Sequence, residues 1–406
     1  MPEGLFCECL LLYKSRAFGQ VLVDPHGTPR YWPAVWQLFF GGALAESTLR
    51  RQLRHLDALY RSFDEGAGLG SLDDAIARCD LDCIAEGLDR FFVTLTNEQC
   101  PPATGAERWR ASLHFVESLL ERLARAQDVS TRLNSLRSRL ERLERLYGDL
   151  RPARRRSSRF VRALPPAVLR ELYEMVLPES ASNPFLQVRT QWRAYVLFSL
   201  LLHQGLRRGE SLILRVDGLK SERAPETGHR VFWLDVTTRE EDADPRSSTP
   251  SQKNAFSVRQ LPVSDGMALT VRTYVENWRG RCNHAWLLNS QRNLPLSAEG
   301  VNKMFIRISE QLSEDSRKEL VARKGAPFVT PHDLRHTAAV VRLRQFWSRG
   351  MSDAQAMQSM RSFFGWSRDS TMPLLYAKAA FDERLATVWN DELDARVAVL
   401  RELPDD

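Results

Sequence analysis

His332 and Arg335, one helical turn apart in His332-Asp333-Leu334-Arg335-His336-Thr337, can meet the same anion. Tyr376 follows about forty residues later, and an aromatic alcohol returned to that pair could attack a bound phosphorus and hold it as an ester. Phosphoryl transfer through a covalent tyrosine is the chemistry these residue types suggest. Spacing alone does not gather them, so the surrounding elements must.

Thr330 or Pro331 opens the helix that carries His332 and Arg335, and the pattern continues through Ala338 to Phe346. Met351 to Phe363 makes another helix with Ser352 as its cap, and Gly365 breaks the pattern before Trp366. A further helix is expected from 374 to about 400, with Tyr376 in its first turn and Pro373 just ahead. Upstream, a buried helix over Tyr195–Leu202 runs into Gly205-Leu206-Arg207-Arg208-Gly209-Glu210. Such a helix can hold a guanidinium where it need not reorganise during reaction, and Glu210 could restrain an arginine or cap the next helix. Val231–Val236 and Phe256–Val263 alternate like strands. Between them, 238–252 reads as an exposed acidic loop, and Lys253 stands just before the second strand. Met267–Trp278 is amphipathic, and Ser297-Ala298-Glu299-Gly300 resembles a cap opening the helix Val301–Leu312.

Earlier in the chain, Trp36, Phe39, Phe40, Leu49, Leu53, Leu56, Leu59 and Tyr60 recur at helical spacing, with Arg50, Arg51, Arg54 and Arg61 between them. Gly66 to Gly70 is a turn, a second helical region reaches Phe92, and Asn97 to Gly105, with Cys100-Pro101-Pro102 and Gly105, interrupts before a leucine-periodic stretch over 107–147 that reads as bundle core. The formal charge of +6 is modest for 406 residues but uneven. From Glu107 to Arg162 there are fifteen arginines, no lysine and seven acids, a local excess of eight. Arg151, Arg154, Arg155, Arg156 and Arg159 form a proline-broken connector that must be solvated or paired with an anion, and a DNA-tracking role fits its place between two folded regions. The tail beyond Phe381 is acidic with Leu385, Val388, Trp389 and Leu393 at helical spacing, a stripe that covers its own core or docks on a neighbouring protomer.

Six cysteines match no strong metal-ligand spacing and read as reduced thiols, so no metal is expected, and the family resemblance given below implies no other cofactor. No apolar run is long enough for a bilayer, and a cytoplasmic protein with no membrane partner is expected.

These features converge on a family. GLRRGE at 205–210, KNAFSVRQLPV at 253–263, HDLRHT at 332–337 and the Gly365-Trp366 pair followed by STMPLLY ending at Tyr376 resemble, in family order, the tyrosine recombinases of the phage-integrase type. The likeness covers about 188–380 and extends more weakly to a helical N-terminal DNA-binding domain. It implies that Arg207 and Arg335 bind the scissile phosphate, Lys253 protonates the departing 5′ oxygen, and His332 assists proton transfer at the nucleophile. Trp366 would orient the phosphate site and Tyr376 would form a 3′-phosphotyrosine bond, with His336 structural. The implied fold is mainly α with a small β-sheet in the catalytic domain (α+β), in a two-domain DNA clamp. We expect an N-terminal extension over 1–30, a core-binding region over 31–160, a linker over 161–185, a catalytic domain over 186–380 and a helical tail over 381–406. The implied partners are double-stranded DNA, three further protomers on paired DNA sites passing through a Holliday junction, and accessory recombination proteins. The alternative is a catalytically weak DNA-binding or architectural relative.

Overall fold

The computed structural model describes residues 12–15, 19–97, 102–126, 138, 141, 163–224, 226, 228–237, 244–246, 250 and 255–377. Lys253, the arginines of the 151–159 connector and the tail beyond 377 lie outside the described residues. The chain divides into two compact units between Ser157 and Ser158.

In the first unit, strands β1 (Leu12–Ser15) and β2 (Gly19–Leu22) pair antiparallel ahead of a helical assembly. The single amphipathic run expected from Trp36 to Tyr60 is two helices, Tyr31–Phe40 and Glu46–Ala67, because Gly41 to Ala43 turn the chain in a short 3₁₀ segment. Leu53, Leu56, Leu59 and Tyr60 are buried while Arg51, Arg54 and Arg61 face out, the division that apolar spacing by threes and fours imposes. Helices Ser71–Ala77, Leu81–Asn97 and Pro102–Ala126 complete the core. The interruption expected to reach Gly105 is shorter, because Pro102 already starts the last of these and Gly105 lies within it; a proline at a helix start lacks only an N–H that has no helical partner.

Helix Pro166–Val176 and helix Val188–His203 open the second unit's described elements. Strands β3 (Leu219–Arg223), β4 (Arg230–Val236) and β5 (Arg259–Val263) form one antiparallel sheet in the order β3-β4-β5. Leu234 and Leu261 are register partners and both are buried, so the sheet's apolar face joins the helical core. Strand β3 carries no sequence signal, because only its first residue is less than exposed and it lacks the alternation that marks a half-buried strand. Ser297 and Ser352 cap helices Ala298–Glu310 and Asp353–Phe364 by accepting from the Gly300 and Gln355 amides. Asp265–Thr273 is α-helical, and Tyr274–Trp278 continues it as a π turn. Among the described residues no helix is long and apolar enough to cross a membrane.

One close approach in the first unit fixes how its helices meet. Gly87 lies against the end of the Phe63 ring, where an added Cβ would come within 2.0 Å of Cζ. Gly87→Ala should therefore destabilise this unit by about 1–3 kcal/mol in chemical denaturation, the cost of overpacking a filled core. A loss under about 0.5 kcal/mol would show that the ring can move aside.

Candidate active site

Three helix termini meet around a single carboxylate. Helix Val188–His203 ends at Gln204, and Gly205 turns the chain with φ +58°. A side chain there would strike Phe364, with Cβ 2.3 Å from Cε1. Arg207 then precedes helix Arg208–Ile213, and its backbone N–H donates to Glu210 Oε2 at 2.8 Å. Helix Asp353–Phe364 stops at Gly365, φ +59°, where a Cβ would meet the Phe256 carbonyl at 2.9 Å. Both glycines supply the left-handed conformation that closes a helix while leaving room for what packs on it.

Glu210 is 1% exposed and receives three guanidinium groups. Arg207 Nη1 donates to Oε1, Arg259 Nη2 to Oε2 at 3.0 Å, and Arg335 Nη1 to Oε2 at 3.4 Å. The same arginines reach the C-terminal end of helix Asp353–Phe364. Arg259 Nε donates to the Phe363 carbonyl at 2.8 Å, Arg335 Nη2 to Phe364 at 2.7 Å, and Arg207 Nη2 to Gly365 at 3.4 Å. These carbonyls are acceptors that a helix end leaves over, at the negative pole of its dipole. Arg335 Nη1 also donates to the Gly205 carbonyl. Burial raises the Glu210 carboxyl's proton affinity, but the three cations outweigh it and hold its pKa below the usual value.

Arg335 is 2% exposed, and burial pushes its pKa down to about 9. Thr330 and Asp333 aim it: the Thr330 hydroxyl accepts from the Asp333 amide at 3.3 Å, and Asp333 Oδ2 accepts from the Thr330 amide at 2.8 Å. Pro331 opens helix Pro331–Ser348 at a position where no N–H is needed. Arg335 thus points into the core while His332 and His336, four residues apart, share another face.

Tyr376 is 1% exposed in a helical turn over 372–377 that Pro373 begins without breaking. Its ring stacks on Trp366 at 5.4 Å and 9°, and Trp366 stacks in turn on Phe364 at 4.9 Å and 16°. Arg335 Cζ lies 5.9 Å from the Trp366 ring centre. The Tyr376 hydroxyl lies 2.7 Å from His336 Nδ1. Burial raises the tyrosine's pKa to about 12, opposed by the Arg335 and Arg207 charges. Burial also pushes His336 down to about 4, reinforced by His332 and Arg335 and countered by Asp333, so its ring is neutral near pH 7.

Arg207, Arg335, Trp366 and Tyr376 are therefore gathered. His332 is exposed, and its ring packs edge-on against His336 with centroids 4.1 Å apart. It is His336, read from sequence as structural, that contacts the tyrosine hydroxyl. Arg259 was not singled out either, although it sits within KNAFSVRQLPV; an arginine opening an apolar strand was the available signal. Glu210 does both things its position allowed, restraining arginines and capping the helix.

The model of the phage integrase family matches residues 176–383, half of the chain. Among solved structures, the XerH site-specific recombinase bound to palindromic difH substrate in a post-cleavage complex is 13% identical, covering 85% of this chain and 80% of that one with a TM-score of 0.48. XerH in a pre-cleavage complex with difH gives 13% identity, 74% and 68% coverage and a TM-score of 0.43. Lambda integrase residues 75–356 bound to DNA gives 13%, 84% and 91%, and 0.42. No curated protein shows significant similarity to the chain.

Replacing Glu210 by Gln leaves three neighbouring guanidinium groups without their carboxylate, two of them at least 93% buried. We expect Glu210→Gln to lower stability by about 3–5 kcal/mol, measured by denaturation near pH 7, with part regained in sulfate. Because the carboxyl's pKa is depressed on folding, its contribution is present above pH 4.5 and lost as pH falls through the folded value, a step the variant should lack. Unchanged stability in the variant would show that this carboxylate is not what holds the arginines.

Proposed function

The chain belongs to the phage integrase family and is a tyrosine-type recombinase acting in site-specific DNA recombination, and from that premise we propose that Tyr376 is its nucleophile and Arg207 with Arg335 its phosphate clamp. The observation that carries this reading is that both arginines share the Glu210 carboxylate and bind the carbonyls of Phe364 and Gly365, the helix end from which Phe364, Trp366 and Tyr376 stack in series.

In the cleavage step, Tyr376 Oη attacks the scissile phosphorus and its proton passes to His336 Nδ1, 2.7 Å away. The Oη–P bond forms as the bond from phosphorus to the 5′ oxygen breaks. That oxygen takes a proton from Lys253, a role carried by the family resemblance. Three guanidinium charges against one carboxylate leave a surplus of two positive charges where the phosphate gains negative charge. They are fixed beforehand by Glu210 and the helix-end carbonyls, so little reorganisation is needed. Arg207, with a side chain 22% exposed, is the more open of the clamp pair. Arg335 keeps one Nη2 hydrogen beyond its bonds to Gly205, Glu210 and Phe364. His332, at the exposed edge of His336, can relay the proton to solvent, and Trp366 holds the nucleophile's ring flat. Attack by the 5′ hydroxyl of a second strand reverses the chemistry and rejoins DNA without a cofactor.

Around this centre we assign the connector arginines 151, 154, 155, 156 and 159 to the DNA backbone and the acidic tail to docking between four protomers on paired sites. Accessory proteins and a mobile element as genetic setting follow from the same family likeness, as does action in the cytoplasm.

A duplex nicked beside the cleavage position, built on the sequence that the protein occupies in cells, tests the chemistry. The wild type should become covalently joined to the 3′ phosphate, whereas Tyr376→Phe should give no adduct while still binding. Arg207→Ala and Arg335→Ala should abolish cleavage and keep appreciable binding, since other phosphate contacts remain. For His336→Gln, single-turnover cleavage should fall about 10²–10⁴-fold. Cleavage at the wild-type rate would remove His336 from the proton path. In the wild type the acid limb should fall near pH 4, where His336 gains its proton, and not near 6.5.

A further inference from the structure

A second cationic site lies away from the Glu210 cluster and shares no residue with it. It is a groove of about 370 Å³ between the start of helix Val188–His203, the turn at 290–294 and one face of helix Ala298–Glu310. Arg193, Arg292, Lys303 and Arg307 line it together with Thr190 and Gln291, and no carboxylate does. Among the described residues none of the four cations takes part in an ion pair with Asp or Glu.

Arg193 is the unusual member. It is 4% exposed, yet its partners are neutral: the Asn289 carbonyl at 3.0 Å from Nη1 and the Thr190 hydroxyl at 3.2 Å from Nη2. Among the described residues its Nε has no acceptor. A buried guanidinium without a counter-charge is costly, and three more cations at the rim add to its field. Lys303 and Arg307 are four residues apart and so share a helix face, while Arg292 is carried on a turn closed by the Asn289–Pro295 bridge and the Ser290 amide donating to the Leu294 carbonyl at 2.7 Å. One buried guanidinium and three rim cations on a concave surface without acids suit an anion with several oxygens, and an arginine fork suits phosphate in particular.

We infer that this groove is a second phosphate-binding site, which takes either a DNA backbone phosphate outside the cleavage position or a free polyphosphate. The inference goes beyond the cleavage chemistry, although a link to that site favours DNA as the source. Arg208, next to Arg207, donates through Nη1 to Asn302 Oδ1 at 2.7 Å. The helix that presents Lys303 and Arg307 is thereby tied to the residue beside the phosphate clamp.

The test uses the full chain and does not depend on cleavage, so a failure of the tyrosine chemistry would leave it interpretable. Arg292, Lys303 and Arg307 are exposed and can be changed together to Gln without opening the core. Binding to a short mixed-sequence duplex is measured across salt concentrations, and the melting temperature is measured with and without inorganic pyrophosphate. A control changes Lys318, Arg344 and Arg349, exposed residues outside the groove, to Gln. If DNA fills the groove, the slope of log K against log salt becomes shallower by about 1–3 in the groove variant and not in the control. If a free polyphosphate fills it, pyrophosphate raises the melting temperature of the wild type and control but not of the groove variant. Salt slopes that change equally in both variants, or not at all, without groove-dependent pyrophosphate stabilisation, overturn the site.

Discussion

Three guanidinium groups in contact with one buried carboxylate form the constraint on which the catalytic unit depends. Like charges at this range repel, and water that would screen them is largely excluded. Glu210 offsets part of that repulsion, and the carbonyls ending helix Asp353–Phe364 with that of Gly205 offset more. The balance still leaves positive charge. A phosphodiester completes it, and a phosphorus gaining a fifth oxygen completes it better, so the arrangement that strains the free protein also favours the transition state.

The backbone serves this charge balance directly. Gly205 and Gly365 both turn left-handed immediately after a helix, and each would collide with a neighbour if it carried a side chain. Their turns bring two helix ends and the start of a third to one point, where leftover carbonyls face the arginines. Phe364, Trp366 and Tyr376 then stack in series, so the ring that bears the nucleophile is positioned by the same turn that closes the helix. Packing and electrostatics are thus coupled: the glycine that lets the rings stack also exposes the carbonyls that the guanidinium groups require.

Much of this was legible in the sequence because short signals governed it. Capping residues Ser297, Thr330 and Ser352 marked helix starts, glycine marked ends, and HDLRHT with GLRRGE identified the arginines. The histidine facing the tyrosine was not legible, since His332 and His336 lie one turn apart on the same helix face and only the return path of Tyr376 decides between them. Arg259 was hidden for a related reason: its partners Glu210 and Phe363 are 49 and 104 residues away in sequence. Strand β3 carries no alternation to read, and the split of the first amphipathic run depended on a Gly41-Gly42 pair inside an otherwise continuous periodicity.

The central claim is that Arg207, Arg335 and Tyr376 serve one phosphate. It is tested most directly by the structure of the protein on its own DNA site with vanadate in place of the scissile phosphate. The account predicts both guanidinium groups on equatorial vanadate oxygens, Tyr376 Oη and the 5′ oxygen at the two apical positions, and Glu210 still behind the arginines. Vanadate held without Tyr376, or with either arginine directed into another pocket, would contradict it.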